Sequence, residues 1–306
     1  MQRPPFPTVI NASLLSSFKS CPQKCFLEYV EHWKPRTHNV HLHAGKAYAS
    51  ALEAARIAFY IDGVSQPNAI ARGLGVLLKE YGDFECPADS AKSLERMCGA
   101  FEYYFSVYPL TSDAAVPISL PDGRRGIEFS FAEPIDETHP ETGDPLLYVG
   151  RFDGLMNYAG AVYGLDDKTT SSLGASWPKQ WDLRSQFTGY TWGAGRAGIR
   201  VDGFIVRGIS ILKTKYDTLQ PITYRPQWMI DMWYEQILRD VRRMKAMWAE
   251  GYWDYNLDDA CMGFGGCIFR TICMSEPKNR INWLTTNFER RFFNPVTREE
   301  SVLGAP

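Results

Sequence analysis

The sequence predicts an α/β fold, and three observations lead there. Apolar residues recur at helical spacing over several long stretches, residues 64–108 and 226–250 foremost. Residues 201–212 (VDGFIVRGISIL) and the runs on either side of Asn157-Tyr158-Ala159-Gly160 have the β-branched and aromatic content of strands. Near the C-terminus, Cys261, Cys267 and Cys273 form a C-x5-C-x5-C array with glycines inside it, which points to a thiolate-bound metal module beside that core.

Composition sets the outer bounds. A chain of 306 residues, 45% hydrophobic and 22% charged, is ordinary globular protein, long enough for one large domain with appended pieces or two small ones. Three consecutive segments are expected: a helical region 1–115, a core 116–225 and a C-terminal module 226–306. The net charge of -2 gives no global attraction to nucleic acid, so any DNA contact must come from a local basic patch. No apolar run reaches the ~20 residues of a membrane span, and the opening MQRPPFPTVINASL lacks a signal-peptide core. A cytoplasmic, membrane-free protein is the expectation. In that reducing compartment closely spaced cysteines favour metal over disulfides.

In chain order, Ser13 is a plausible N-cap for a helix carrying Leu14, Leu15 and Phe18, broken near Pro22. His41 and His43 alternate in residues 38–43, read as a solvated linker rather than a metal pair. Residues 44–60 are alanine-rich and strongly helical. Two helices follow within 64–108, separated at Pro87 and Asp89, the second with a core stripe of Phe101, Tyr104, Phe105 and Tyr108. Residues 116–132 read as extended, with a turn at Pro121-Asp122-Gly123, and residues 136–144 as a loop. Beyond the central stretch, Arg207 lies in the 201–212 strand, a candidate to face a groove. Lys213, Lys215 and Arg225 make a modest basic cluster, either phosphate contacts or a solvated strand end. The 226–250 helix carries Trp228, Met232, Trp233, Ile237, Val241, Met244 and Trp248 at helical spacing and Arg239, Arg242, Arg243 and Lys245 opposite, a candidate DNA path. The tail after Met274 reads as a peripheral extension.

The chemistry concentrates between residues 150 and 190. A hairpin turning at 157–160 would bring Asp153 close to Asp166. Two neighbouring carboxylates repel, and a divalent cation between them is the natural compensation. Hard oxygen ligands suit Mg²⁺ or Mn²⁺. Lys168, two residues beyond Asp166, shares its side of the strand and could neutralise developing charge. Gln186 and Tyr190, four apart on a helix over 183–196, share one face. Metal-assisted phosphodiester hydrolysis is the chemistry this set suits. Each residue also has a plain reading: a solvated turn for Asp166-Asp167, a local cap for Asp153, a surface lysine, a structural helix face.

In this order, Gly-Arg-x-Asp (150–153), Asp-x-Lys-Thr (166–169) and Gln-x-x-x-Tyr (186–190) resemble the PD-(D/E)XK nuclease superfamily, most of all the RecB-like and CRISPR-associated RecB-like exonucleases and their phage relatives. The resemblance implies a restriction-endonuclease-like core, a mixed central sheet flanked by helices. It implies Asp153 and Asp166 as ligands of Mg²⁺ or Mn²⁺, Lys168 as the catalytic lysine, and Gln186 and Tyr190 as the accessory motif beside the strand. Residues 13–33 resemble the family's first helix, where a Cys-Pro supplies a cluster ligand; here that is Cys21-Pro22. With Cys261, Cys267 and Cys273, Cys21 would hold a 4Fe–4S cluster that joins the two ends of the chain. The first gap is longer than the family's usual C-x2-C, which keeps Zn²⁺ as the alternative.

One departure stands out. The family's Gly-x-x-x-His with Glu four further on appears as Gly45, Ala49 and Glu53, the histidine replaced. Glu53 is then a candidate to fill the metal shell, and Glu128 on the preceding extended segment another; each could equally be an exposed residue. The implied activity is a DNA exonuclease acting on duplex ends or single strands in recombination, repair or phage replication, alongside a recombination or replication protein. Ala49 motivates a second reading, a weak or inactive DNA-binding partner subunit of the same fold, and a metal-stapled interaction protein is a third. Oligomeric state is not legible.

Overall fold

The computed structural model describes residues 3–37, 39–263 and 266–303. In chain order these form β1 (Val9–Asn11), α1 (Ala12–Ser20), α2 (Pro22–Cys25), a π-helical turn (Phe26–Val30), β2 (Trp33–Pro35), α3 (Val40–Tyr60), α4 (Gln66–Tyr81), α5 (Leu94–Val107) and β3 (Val116–Pro117). Next come β4 (Ser130–Thr138), β5 (Pro145–Arg151), β6 (Gly154–Tyr158), β7 (Ala161–Thr170), α6 (Ser185–Arg196), β8 (Gly203–Ile211), β9 (Tyr216–Leu219) and β10 (Ile222–Tyr224). The chain ends with α7 (Gln227–Glu250), α8 (Asp259–Met262), α9 (Arg270–Met274), α10 (Pro277–Asn287), β11 (Phe288–Phe293) and β12 (Glu300–Val302). It is an α/β protein with mixed sheets and flanking helices. No helix among the described residues is long and apolar enough to cross a membrane.

The chain divides into two compact units, each discontinuous in sequence, where three consecutive segments were expected. One comprises Met1–Thr37, Phe131–Gly150 and Trp228–Pro306; the other comprises His38–Ser130 and Arg151–Gln227.

In the first unit, β5 pairs in parallel with β1 and lies between β1 and β4. Asn11 rather than Ser13 caps α1, its Oδ1 accepting from the Leu14 N–H at 2.9 Å. The helix breaks at Cys21, which is extended (φ -163°) because the following Pro22 excludes the helical conformation at the residue before it. The expected loop over 136–144 is shorter: β4 runs on to Thr138. The tail is no peripheral extension. β11 pairs with β2 (Glu289 opposite Lys34), and Leu284 and Phe288 join Leu27, Trp33, Phe269 and Ile272 in one buried cluster. On α7, Arg242 and Lys245 both pair with Glu137, so two of the four candidate DNA-path cations share one carboxylate within the fold.

In the second unit the sheet order is β10-β8-β7-β6-β3, with β9 also on β8. β7 and β8 run parallel and need a crossover, which contains α6; β6 and β7 form a tight antiparallel hairpin. Its two-residue loop has Ala159 at φ 52° and Gly160 at φ 83°, the positive pair that matches strand twist. The apolar run leading into that turn is not one strand: it is interrupted at Phe152-Asp153, and β5 and β6 belong to different sheets.

Helices α3, α4 and α5 pack around Ala44, Ala47, Ala51, Ala55 and Phe101, and the small side chains of α3 allow close approach. A Cβ on Gly73 of α4 would lie 2.7 Å from the Ala51 carbonyl oxygen. α3 starts at Val40, capped by Asn39, whose side chain accepts from the His41 N–H; His41 and His43 are therefore helical, not linker residues. His38 lies outside the described residues. His43 stacks on Phe84 at 4.2 Å, a packing role.

Candidate active site

β7 carries the centre of the site. Side chains alternate along it, so Asp166 and Lys168 share one face while Asp167 points to the other. The register of Gly154 with Leu165 sets Asp153 beside Asp166. Asp153 Oδ2 accepts the Asp167 backbone N–H at 3.0 Å, and Asp166 Oδ2 lies 2.6 Å from Lys168 Nζ.

An aromatic stack underlies these groups. Phe204 of β8 lies between Phe187 of α6 (4.2 Å, 10°) and Phe152 (5.4 Å, 8°). A Cβ on Gly164 would meet the Phe204 ring at 2.4 Å, so only glycine admits that ring. The stack holds α6 against the sheet and fixes Phe152, next in chain to Asp153. On α6, Tyr190 lies 5.2 Å from the Phe152 ring, and its phenol is hydrogen-bonded by the Gln186 side chain and the Arg151 backbone. Burial raises its pKa, which keeps it protonated.

Asp167 is held from behind. Arg56 of α3 lies 2.7 Å from its carboxylate, and the Tyr104 hydroxyl donates to it at 2.7 Å. Arg207, expected to face a groove, instead contacts Tyr104 and forms a bidentate pair with Asp113 at 2.6 Å per bond. A long β-branched strand hides the fact that all nine of its residues are buried. Arg225 is likewise structural, donating to the Trp181 carbonyl at 2.6 Å.

Glu53 and Glu128 gather around Arg151, at 3.9 and 2.5 Å. Glu128 has φ 53°, a left-handed backbone that costs a non-glycine residue of order 1 kcal/mol. Burial, then the Asp153 charge, push its carboxyl up to about 8. Ala49 is exposed on α3, one turn from both Gly45 and Glu53.

The electrostatics are lopsided. Burial and the charge of Asp153 push Asp166 up to about 6, against the pull of Lys168, and burial also raises Asp153. Lys168 is nonetheless held charged, its pKa raised because Asp166 and Asp153 together outweigh its own burial. The two directions are consistent: one ammonium serves two carboxylates. Across the cluster, the five acids Asp153, Asp166, Asp167, Glu53 and Glu128 have Lys168, Arg56 and Arg151 among them as cations. That excess of carboxylate is what a divalent cation would neutralise, and the oxygen donors suit Mg²⁺ or Mn²⁺. Among the described residues, no three His, Cys, Asp or Glu side chains stand arranged as a ready metal cage.

A metal test follows from the sign of these shifts. A carboxyl whose folded pKa is raised favours folding below its unfolded pKa, and that stability is lost as pH rises through the folded value. For Asp166 the window runs from 3.8 to about 6. The melting temperature gained on adding Mn²⁺ should therefore be larger at pH 7.5 than at pH 5, and should vanish in Asp166→Asn. An equal gain at both pH values in the variant would count against binding here.

In the first unit, Cys21, Cys261 and Cys267 all raise Cys273, after burial, but among the described residues these thiols are not gathered as a ready metal cage. Cys21 Sγ accepts the Asn256 backbone N–H at 3.5 Å, and the Cys267 N–H donates to the Cys261 carbonyl at 2.9 Å. Gly266 adopts φ 95°; Gly265 lies outside the described residues. Cys25 is buried, its thiol on the Leu14 carbonyl, while Cys86 and Cys98 are free thiols.

Sequence reasoning assigned no role to Arg151, Arg56 or Asp113, and gave Tyr104 only a place in a core stripe. Arg151 stands inside the Gly-Arg-x-Asp run, and Arg56 interrupts the alanine face of α3, where a buried cation demands a buried partner. Asp113 offered no such signal.

No family model and no curated protein matches the chain. Among solved structures, a candidate exonuclease from Eubacterium rectale is similar over 83% of this chain and 87% of its own, at 12% identity and a TM-score of 0.49. The protein SSO0001 is similar over 85% and 94%, at 15% identity and a TM-score of 0.33. At these scores neither likeness bears on the chemistry.

Proposed function

We propose that the chain is a metal-dependent DNA nuclease of PD-(D/E)XK type, an exonuclease working on duplex ends or single strands. The observation that carries this reading is the single Lys168 ammonium 2.6 Å from Asp166, with Asp153 buried beside them on the adjoining segment. Asp153 and Asp166 would hold Mg²⁺ or Mn²⁺, with Glu128 and Glu53 as further acids. The bound ion supplies a Lewis acid for the phosphodiester and a more acidic water. Lys168 keeps its proton and places positive charge where the phosphorane oxygens become more negative. Tyr190, protonated and aligned by Gln186, can donate a hydrogen bond to a strand phosphate. End-labelled single- and double-stranded DNA incubated with Mn²⁺ tests the reading: shortening from the ends supports it, and internal cuts alone would make the enzyme an endonuclease.

Cys21, Cys261, Cys267 and Cys273 are proposed to hold a 4Fe–4S cluster, with Zn²⁺ as the alternative. The electrostatic reach of Cys21, Cys261 and Cys267 to Cys273 and the N–H donated to Cys21 Sγ support this. Anaerobic purification should give a chain with about four irons and a broad visible absorption, both lost in Cys267→Ser. One zinc and no colour selects the alternative, and no metal at all overturns the site. Work in recombination, repair or phage replication, with DNA and a protein of that machinery as partners, is proposed on the resemblance. The exposed Ala49 favours a second reading, a partner subunit that binds DNA without cutting it. Absence of cleavage by a metal-loaded chain selects that one.

A further inference from the structure

The first unit contains a cavity of about 490 Å³ that the cleavage chemistry does not use, within the 300–1,000 Å³ range of small-ligand pockets. Its walls include Tyr29, His32, Phe292 and Phe293, and two cations, Lys34 and Arg291, line it as well. Phe293 remains 51% exposed and Phe292 36%, large aromatic surface left in water directly after Arg290-Arg291 on β11. Lys34 lies 4.8 Å over the Tyr29 ring and pairs with Glu28, which also lines the cavity; Arg291 pairs with Glu289. His32 holds a left-handed backbone at φ 65° and meets the Phe292 ring edge-on at 5.1 Å. A non-glycine residue kept in that conformation is more common at ligand sites than elsewhere. Burial, then Arg290 and Lys34, push the imidazole down to about 4, so it stays neutral and can both donate and accept; Arg291 also reaches Glu300 at 3.5 Å.

Flat apolar walls, a neutral imidazole and flanking cations match a ligand with an aromatic body and an anionic backbone. We propose that this cavity is a subsite for single-stranded nucleic acid, taking one base against Tyr29, Phe292 and Phe293 with its phosphate towards Lys34 and Arg291. Interleaved aromatic and basic residues are the usual means of holding a single strand without reading its sequence. The subsite shares its ligand class with the nuclease reading and is independent of the cleavage chemistry.

The test omits divalent ions, so a chain that never cleaves DNA still gives an answer. A thymidine 12-mer carrying 5-iodouracil is bound to the full chain in EDTA, irradiated, and the crosslinked peptides are identified by mass spectrometry. Crosslinks within 26–34 or 288–295 are expected. Crosslinks only in 151–190, no crosslinks, or no binding of the oligonucleotide would overturn the subsite. By fluorescence anisotropy, Phe292→Ala with Phe293→Ala should weaken binding on the order of tenfold, with the melting temperature retained. Unchanged affinity overturns the proposal, including the case in which the cavity anchors an apolar peptide instead. Should that double variant fail to fold, Phe293→Ser alone is measured against the same outcomes.

Discussion

Asp166→Asn and Lys168→Ala, measured separately, should each lower Mn²⁺-dependent cleavage of DNA by on the order of a hundredfold or more, the scale of losing one charge-stabilising group. Asp166→Asn removes one of two buried carboxylates that share a single ammonium, so the variant should melt no lower than the parent without metal. Lys168→Ala leaves both carboxylates without that ammonium, and its metal-free melting temperature should fall. The opposite stability effects separate lost chemistry from lost fold. The double variant should be little worse than either single one, because the groups act as a unit. Cleavage within tenfold of the parent in either variant would remove the site from consideration.

The second large effect is structural. Asp113→Ala should cost about 3–5 kcal/mol, the usual result of leaving a buried ion without its partner. Arg207 is 3% exposed, and its two terminal nitrogens each lie 2.6 Å from an Asp113 oxygen, while Nε donates to Gln220. Asp113→Leu combined with Arg207→Met should recover most of the loss, since an apolar pair of similar volume avoids the desolvation altogether. Asp62→Ala, which breaks an exposed pair with Arg72, should change stability by less than about 1 kcal/mol. Urea midpoints of the three variants decide it; a drop for Asp113→Ala no larger than that for Asp62→Ala would show the network to be dispensable.

Much of the site was legible because it is local. The hairpin, the two acids brought together by it, and the Asp-x-Lys alternation follow from a two-residue turn and a period of two, both readable over twenty residues. The helix from 44 to 60 and the strand from 201 to 212 were legible from composition alone. What escaped was long-range. Arg207 and Arg225 looked like groove residues because nothing near them in sequence reveals Asp113 or the Trp181 carbonyl. The break at Phe152-Asp153 escaped because both flanks are apolar and extended; only the partners differ, β1 and β4 for one strand, β7 and β3 for the other. The tail was misread because its apolar residues, Leu284 and Phe288, are few and find their neighbours more than two hundred residues upstream, at Leu27 and Trp33. The chemistry proposed for these side chains, and the identity of any bound metal, depend on electronic events and ions that no spacing encodes.

The pairing of Trp33–Pro35 with Phe288–Arg290 has a consequence during synthesis. The ribosome releases the first of these segments more than two hundred residues before the second, so the earlier strand waits that long for its partner. Residues 38–130 and 151–227 can meanwhile collapse on their own contacts, but the other unit cannot close until residue 288 and its neighbours have emerged. A nascent chain stalled or truncated before residue 288 would leave Leu27 and Trp33 uncovered, a natural target for chaperones and proteases, and so the cell would accumulate this protein whole or hardly at all.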